Sequence, residues 1–349
     1  MNAEVRAPST SEAEPTGDRG PDGTIEGLLD TDDGTPPGRS PGSRRRPSGS
    51  GPRRRGAALL VLMALPGVVL LLAFQYLPLA GNIIAFKDYL PFIGIAESPW
   101  VGFENFRVIT DGDPRFLNAL TNTLIITLVQ VVVVFPIPIV LALALNSMLS
   151  ERLKRIVQSV LYLPHFLSWV IVIAVFQQFL GGAGMINNFL RSHDLETMSI
   201  IGNPDAFIPL ITSQVIWKDS GWATILFTAV LSQVSVQLYE AAAMDGAGRW
   251  RQMLHVTLPA MRPIIILLLI LKLGDSLTVG FEQIFLQQQA VGLDASEVLD
   301  TYVYNNGIID QNWSVAAAVG LVKGVVGVVL VWGANKLAHA FGEDGLYRS

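Results

Sequence analysis

The chain has 349 residues, of which half are hydrophobic and only 15% are charged, with a mean hydropathy of +0.44. A soluble domain of this size needs more charge to cover its surface, so composition points to the membrane. Cysteine is absent, which excludes disulfides, thiolate chemistry and cysteine-ligated zinc or iron–sulfur centres. The net charge of −5 decides little by itself, because the basic and acidic residues are sorted to opposite ends of the apolar runs.

Residues 1–56 are rich in Pro, Gly, Ser and Asp without apolar periodicity, and they are expected to form a disordered cytoplasmic tail. The tail carries Arg44-Arg45-Arg46 and Arg53-Arg54-Arg55, placed just before the first apolar run, Ala57–Tyr76. That run is longer than a secretory signal core and lies far from the N-terminus, so it is expected to be a retained anchor. Further apolar runs follow at Leu120–Leu145, Ile156–Leu180, Phe207–Leu231, Ile264–Leu286 and Val315–Leu337. Six spans result, within a transmembrane domain of residues 57–340 and before a short cytoplasmic tail of residues 341–349. The fourth is interrupted by Lys218, Asp219 and Gly221. No internal repeat is evident, which weakens any reading as two inverted halves.

Basic residues set the orientation. With the N-terminus inside, the cytoplasmic segments hold the arginine clusters, Arg152, Lys154, Arg155, Arg249, Arg251, Arg262, Lys336 and Arg348. The opposite loops hold Lys87, Arg107, Arg115 and Arg191 against Asp88, Glu97, Asp111, Asp205, Asp294 and Asp310. Six spans return the C-terminus to the cytoplasm, so charge bias and span count agree. The expectation is a multi-pass protein of the cell (plasma or inner) membrane.

Between spans four and five, a loop over residues 236–262 contains Glu240-Ala-Ala-Ala-Met-Asp-Gly-Ala-Gly248 and, further on, Leu258-Pro259. The alanines favour helix, Gly246 and Gly248 permit a sharp elbow, and Pro259 is expected to stop a second short helix. In that second piece Trp250, Met253, Leu254 and Thr257 recur at helical spacing beside Arg249, Arg251 and Gln252. Such a helix could fill a groove on a partner protein or lie on lipid headgroups. The residues alone leave both open.

The stretch resembles the coupling loop of ABC importer permeases, a Glu-Ala-Ala, Asp-Gly-Ala, Leu-Pro pattern. Glu240, Ala241, Ala242, Asp245, Gly246, Ala247, Leu258 and Pro259 match it in register. The resemblance implies docking on a cytoplasmic ATPase subunit. From about Leu59 onward, Phe86-Lys-Asp-Tyr89, Ser98–Phe106, Asn122-Thr123 and Trp217-Lys218 are similar to carbohydrate-importer permeases. Gly280–Phe285 and Asp300–Tyr304 resemble the subgroup that moves oligosaccharides, uronate-containing ones such as aldouronates and polygalacturonate fragments included. The ending Gly345–Ser349 departs from the aromatic closure expected there, and the Arg-rich tail is a second departure.

Polar groups inside a span are costly, so Lys218, Asp219, Asp275 and Glu282 are candidates for a substrate pathway, with Lys272 and Gln283 beside them. Pairing between helices is the alternative, and Lys272 and Asp275 are spaced to neutralise each other. Trp217, Trp222, Phe281 and Tyr304 could stack on sugar rings or line a membrane interface. His165, His193, His255 and His339 are scattered without metal-ligand spacing, and Asn312-Trp-Ser314 matches a glycosylation sequon of the length that chance supplies. No phosphate-binding P-loop occurs, so any ATPase must be a separate polypeptide.

The expected fold is all-α, a polytopic membrane protein with six transmembrane helices of the type I ABC importer permease class. The expected function is sugar import by alternating access as half of a two-permease pore, with no cofactor and no enzymatic chemistry. The resemblance implies two cytoplasmic ABC ATPase subunits, a second permease subunit and an extracytoplasmic sugar-binding protein. Membrane lipid surrounds the chain, and no nucleic acid is expected. An ion-coupled secondary transporter is the first rival and a membrane-embedded enzyme the second.

Overall fold

The computed structural model describes residues 52–340 and 342, with side chains from residue 59 onward. The expected tail of residues 1–56 lies outside the described residues apart from its last five, and so does most of 341–349. Contacts divide the chain into residues 1–64 and 65–349. All that follows concerns the second unit, apart from the first turns of the opening helix.

Helix α1 (Leu59–Phe86) ends ten residues beyond the expected run and closes in a tight turn, Asn82–Phe86. Helix α2 (Pro114–Asn146) starts where the Asp113 carboxylate accepts from Phe116 N–H and Pro114 fills the first helical position. Helices α3 (Glu151–Tyr162) and α4 (Trp169–Leu180) replace the single span expected over 156–180. Pro164 removes a backbone donor there, and Ser168 caps α4 by accepting from Ile171 N–H. Short α5 (Met185–Ser192) follows, then α6 (Pro204–Leu231), capped by Asn203.

Helix α7 (Val236–Met244) bends away from α6 by 73°. Helix α8 (Arg249–Gly274) corrects two expectations. Pro259 does not stop a short second helix, and the fifth span ends at Gly274 instead of running to Leu286. Then come α9 (Phe281–Val291), α10 (Leu299–Tyr304) and α11 (Trp313–Ala340). Glu282 and Gln283 therefore lie on α9, beyond a turn in which Gly280 adopts φ +92°. Only glycine takes that conformation without strain.

The helix passes Pro259 by means of a widened turn, Met253–Thr257, in which Leu258 N–H bonds back to Met253 C=O. The same device precedes Pro78, with Leu77 N–H on Leu72 C=O, and Pro136, with Phe135 N–H on Gln130 C=O. One extra residue in the turn accommodates the missing proline donor and its ring while the helix continues.

Three apolar clusters follow α2 from start to finish. Phe116 and Ala119 pack with Leu299, Tyr302 and Val319; Ile126 packs with Phe207, Ile211 and Ile284; Ala142 packs with Phe227, Leu231 and Met261. Thus α2 and α6 run in the same direction, and α9–α10 nests between their first halves and α11. Among the described residues there is no strand, only one isolated bridge, Lys87 with Trp100. Five helical segments are long and apolar enough to cross a membrane, and six if the bent α6–α7 pair counts as one.

Gly221, which interrupts the fourth apolar run, is where α3 touches α6. A Cβ added there would overlap the carbonyl oxygen of Leu161, a backbone atom with little room to yield. Gly221→Ala should therefore cost about 1–3 kcal/mol by overpacking. Gly324→Ala, which meets nothing within 4 Å, should cost far less. Thermal unfolding of both variants in detergent checks this, and equal midpoints would contradict the close approach of α3 to α6.

Candidate coupling site and intramembrane polar groups

Helix α7 begins at Ser235, whose hydroxyl accepts from Gln237 N–H, and ends in a six-residue cap. Ala247 N–H bonds to Ala242 C=O at 2.9 Å and Gly246 N–H to Ala243 C=O at 3.0 Å, with Gly246 at φ +77°. This paired closure satisfies carbonyls that the helix end would leave free. The Asp245-Gly246-Ala247 signature is thus the cap itself. A Cβ on Gly246 would meet nothing within 4 Å, so its left-handed backbone alone calls for glycine.

The elbow is fixed at its base and uncovered at its tip. Tyr239 Oη and Thr257 Oγ1 lie 3.1 Å apart, tying α7 to α8, and Gln252 Nε2 donates to Ala247 C=O at 2.9 Å. Glu240, Ala241, Asp245 and Pro259 are exposed, while Ala242, Ala247 and Leu258 are half-buried. Met244 is 89% exposed and Trp250 69%, large apolar groups with nothing over them. A cleft of about 600 Å³ beside them is lined by Asn146, Leu149, Tyr239, Trp250 and Met253. Of the predicted stripe, Trp250 and Leu254 are exposed, Met253 is half-buried and Thr257 is buried.

The four pathway candidates do not converge. Lys218 is buried, and its Nζ donates to His165 C=O and Leu167 C=O, both at 2.7 Å, with the Trp169 ring 5.5 Å away. Those carbonyls are freed by the break between α3 and α4. Asp219 reaches His165 Nδ1 at 2.9 Å, and the His165 ring stacks on Trp222 at 4.5 Å. The charges in the fourth span therefore serve the break in the third. Asp275 is exposed in a cleft of about 750 Å³ between α8 and α11, whereas Glu282 is exposed on α9. Lys272 donates to Gln130 Oε1 at 2.7 Å. Phe281 and Tyr304 form a triangle with Phe285, at 4.9–5.4 Å between centroids.

Three polar constellations escaped the sequence reading. Arg115 grips buried Glu297 through two 2.8 Å hydrogen bonds and reaches Asp310 at 3.2 Å, while Asn305 donates to Glu297 at 2.8 Å. Arg115 also stands 5.6 Å from the Tyr302 ring, and burial, with the Asp113 carboxylate next, pushes that phenol up to about 12. Gln214 on α6 joins Gln283 and Gln287 on α9 at 2.8 and 3.0 Å. Lys323 pairs with Asp300, whose second oxygen is buried without a partner. Lys323, a cation near the middle of the last apolar run, was the signal available for that pair.

The model of the family "binding-protein-dependent transport system inner membrane component" matches residues 134–341, more than half of the chain. The chain belongs to this family. Two relatives from Bacillus subtilis (strain 168) extend the likeness toward the N-terminus. The polygalacturonan/rhamnogalacturonan transport system permease protein YteP is 46% identical over 82% of this chain and 90% of its own length. LplB is 45% identical over 82% and 91%. A crystal structure of a bacterial ABC transporter involved in the import of the acidic polysaccharide alginate superposes with a TM-score of 0.76 at 35% identity, covering 82% of this chain and 97% of that one. A crystal structure of a bacterial alginate ABC transporter in complex with an alginate pentasaccharide-bound periplasmic protein gives 0.77 at 34%. The expected all-α permease fold of the type I importer is therefore borne out, and the α7–α8 elbow lies inside the matched family region.

The Arg115 clamp yields a prediction. Arg115→Met leaves the Glu297 carboxylate buried without its cation, which should cost on the order of 3 kcal/mol. Adding Glu297→Gln should recover more than half of that loss by removing the orphaned charge. Unfolding midpoints of the single and double variants measure it, and no recovery would contradict a clamp held by charge.

Proposed function

We propose that this chain forms one half of the membrane pore of an ATP-driven importer for oligosaccharides, with uronate-bearing chains as the substrate class. The observation that carries the reading is the exposed, glycine-capped elbow at α7–α8, seated on a helix that continues into the membrane. Its uncovered Met244 and Trp250 suit a groove on a cytoplasmic ATPase better than open water. Two ATPase subunits would bind there, one under each permease half. A second permease subunit would supply the other half of the pore, as the likeness to importer permeases implies. An extracytoplasmic binding protein, like the periplasmic partner of the alginate transporter, would deliver cargo to the far end. Both termini then lie in the cytoplasm, as the arginine bias requires.

The mechanism is alternating access. ATPase closure draws the two elbows together and opens the cavity outward, sugar enters from the binding protein, and hydrolysis resets the pore. No bond of the sugar is made or broken by this chain. Lys218 and Asp219 hold the α3–α4 break, which leaves exposed Asp275 and Glu282 as the better candidates to face cargo.

Gly246→Val places a β-branched residue at φ +77° and should strain the cap by a few kcal/mol. The elbow lies outside the apolar spans, so the variant should reach the membrane in normal amounts yet lose its ATPase on purification and lose uptake. Glu240→Ala should act more mildly. Full retention of the ATPase with full uptake would remove the coupling assignment. Reporter fusions after Asn146 and Glu240 should read cytoplasm, and those after Arg191 and Asp300 the outside.

A further inference from the structure

The segment joining α1 to α2 carries its most hydrophobic stretch, Tyr89-Leu-Pro-Phe-Ile-Gly-Ile-Ala96, as an ordered finger. Phe92 is 102% exposed, and Leu90, Ile93 and Ile95 are exposed beside it. A slack loop would fold such side chains inward. This one is held open from beneath. Lys87 Nζ donates to Ile95 C=O at 2.6 Å, Ala96 C=O at 3.2 Å and Ser98 C=O at 3.3 Å, so its charge is spent under the loop. Ser98 Oγ donates to Gly94 C=O at 2.6 Å and accepts from Leu90 N–H at 3.1 Å. Gly94 turns the chain at φ +81°. Asn105 Nδ2 reaches Ala85 C=O and Lys87 C=O, both at 2.9 Å, and closes the base.

We propose that this finger dips into the bilayer surface as a lipid anchor at the end of the bundle opposite the elbow. Its level is fixed by two apolar helices. It leaves the last turn of α1 at Phe86, and Tyr89 N–H donates to Ser314 Oγ at 2.9 Å, one residue past Trp313, where α11 begins. The ends of spanning helices mark the boundary between hydrocarbon and water, where aromatic residues collect. Phe86 stacks on Trp100 there at 5.8 Å, and exposed Phe103 packs edge-on to Phe86 at 5.4 Å. The tip bears no charge between Asp88 and Glu97, and it follows in the chain on the exposed apolar helix of residues 65–80. An exposed apolar tip of this kind calls for cover, and at the level of the helix ends the bilayer surface supplies it.

The chain has no native cysteine, so a single introduced one reports on one place once its partner subunits are likewise made free of cysteine. The test attaches a small bimane fluorophore to Phe92→Cys in the full-length permease, purified with its partner subunits and placed in phospholipid nanodiscs. Glu196→Cys, an exposed loop position, serves as the aqueous reference. Phosphatidylcholine carrying a doxyl group near its headgroup should quench the Phe92 label at least twofold and the Glu196 label little, while aqueous iodide should do the reverse. Iodide quenching at Phe92 equal to that at Glu196 would overturn the proposal, as the finger would stand in water. Protection from both quenchers would overturn it too, because a protein partner would then cover the tip. Should Phe92→Cys assemble poorly, Ile93→Cys reads the same surface.

Discussion

Hydrocarbon offers no hydrogen bonds, so each place where a helix of this chain is interrupted must supply partners for the backbone groups it frees. That constraint orders the whole molecule. Where proline removes a donor in α1, α2 and α8, a widened turn accommodates it within the helix. Where the chain stops being helical between α3 and α4, Lys218 caps the loose carbonyls. Where α8 gives way to α9, Thr127 donates to Ser276 C=O and the glutamines of α6 and α9 join in a buried triad. Ser276 Oγ and one Asp300 oxygen remain buried and unpartnered at that second break, in contrast with the first.

The same constraint explains why polar side chains inside the apolar runs are poor guides to cargo. Burying a charge costs several kcal/mol unless another group compensates it. Lys218, Asp219, Lys272 and Lys323 each have a partner across a helix boundary, and the clamp of Arg115 on Glu297 does the same work at the end of the bundle. These groups join elements far apart in the chain, so the bundle depends on polar contacts as well as on its apolar clusters.

Legibility in the sequence followed the range of the interaction. The six apolar runs and the elbow were readable because hydropathy and the Glu-Ala-Ala, Asp-Gly-Ala pattern are local signals. The sharp turn at Gly246 is legible for the same reason. A helix end is misplaced at Pro259, which the sequence suggests as a stop but which sits inside a continuous helix once a turn widens before it; the run through Pro136 reads correctly. The fifth run merged α8 with α9 because residues 276–281 are nearly as apolar as the helices on either side. Lys218 was seen but its partner was not: nothing local to Trp217-Lys218-Asp219 reveals that His165 and Leu167 expose their carbonyls to it. Arg115 and Glu297 stand 182 positions apart.

One feature of α8 bears on how a push at one end is felt at the other. Its 26 residues make a rod of about 39 Å at the usual helical rise. The elbow sits at one tip, and Gly274, packed under Val331 and beside Gly327 of α11, sits at the other. The tie between Tyr239 and Thr257 lies eight residues from Arg249 and 17 from Gly274, so a tilt of the rod about that tie would move Gly274 about twice as far as Arg249. Were a subunit to dock at the elbow as proposed, a small displacement there would become a larger one at Asp275 and the cleft it lines.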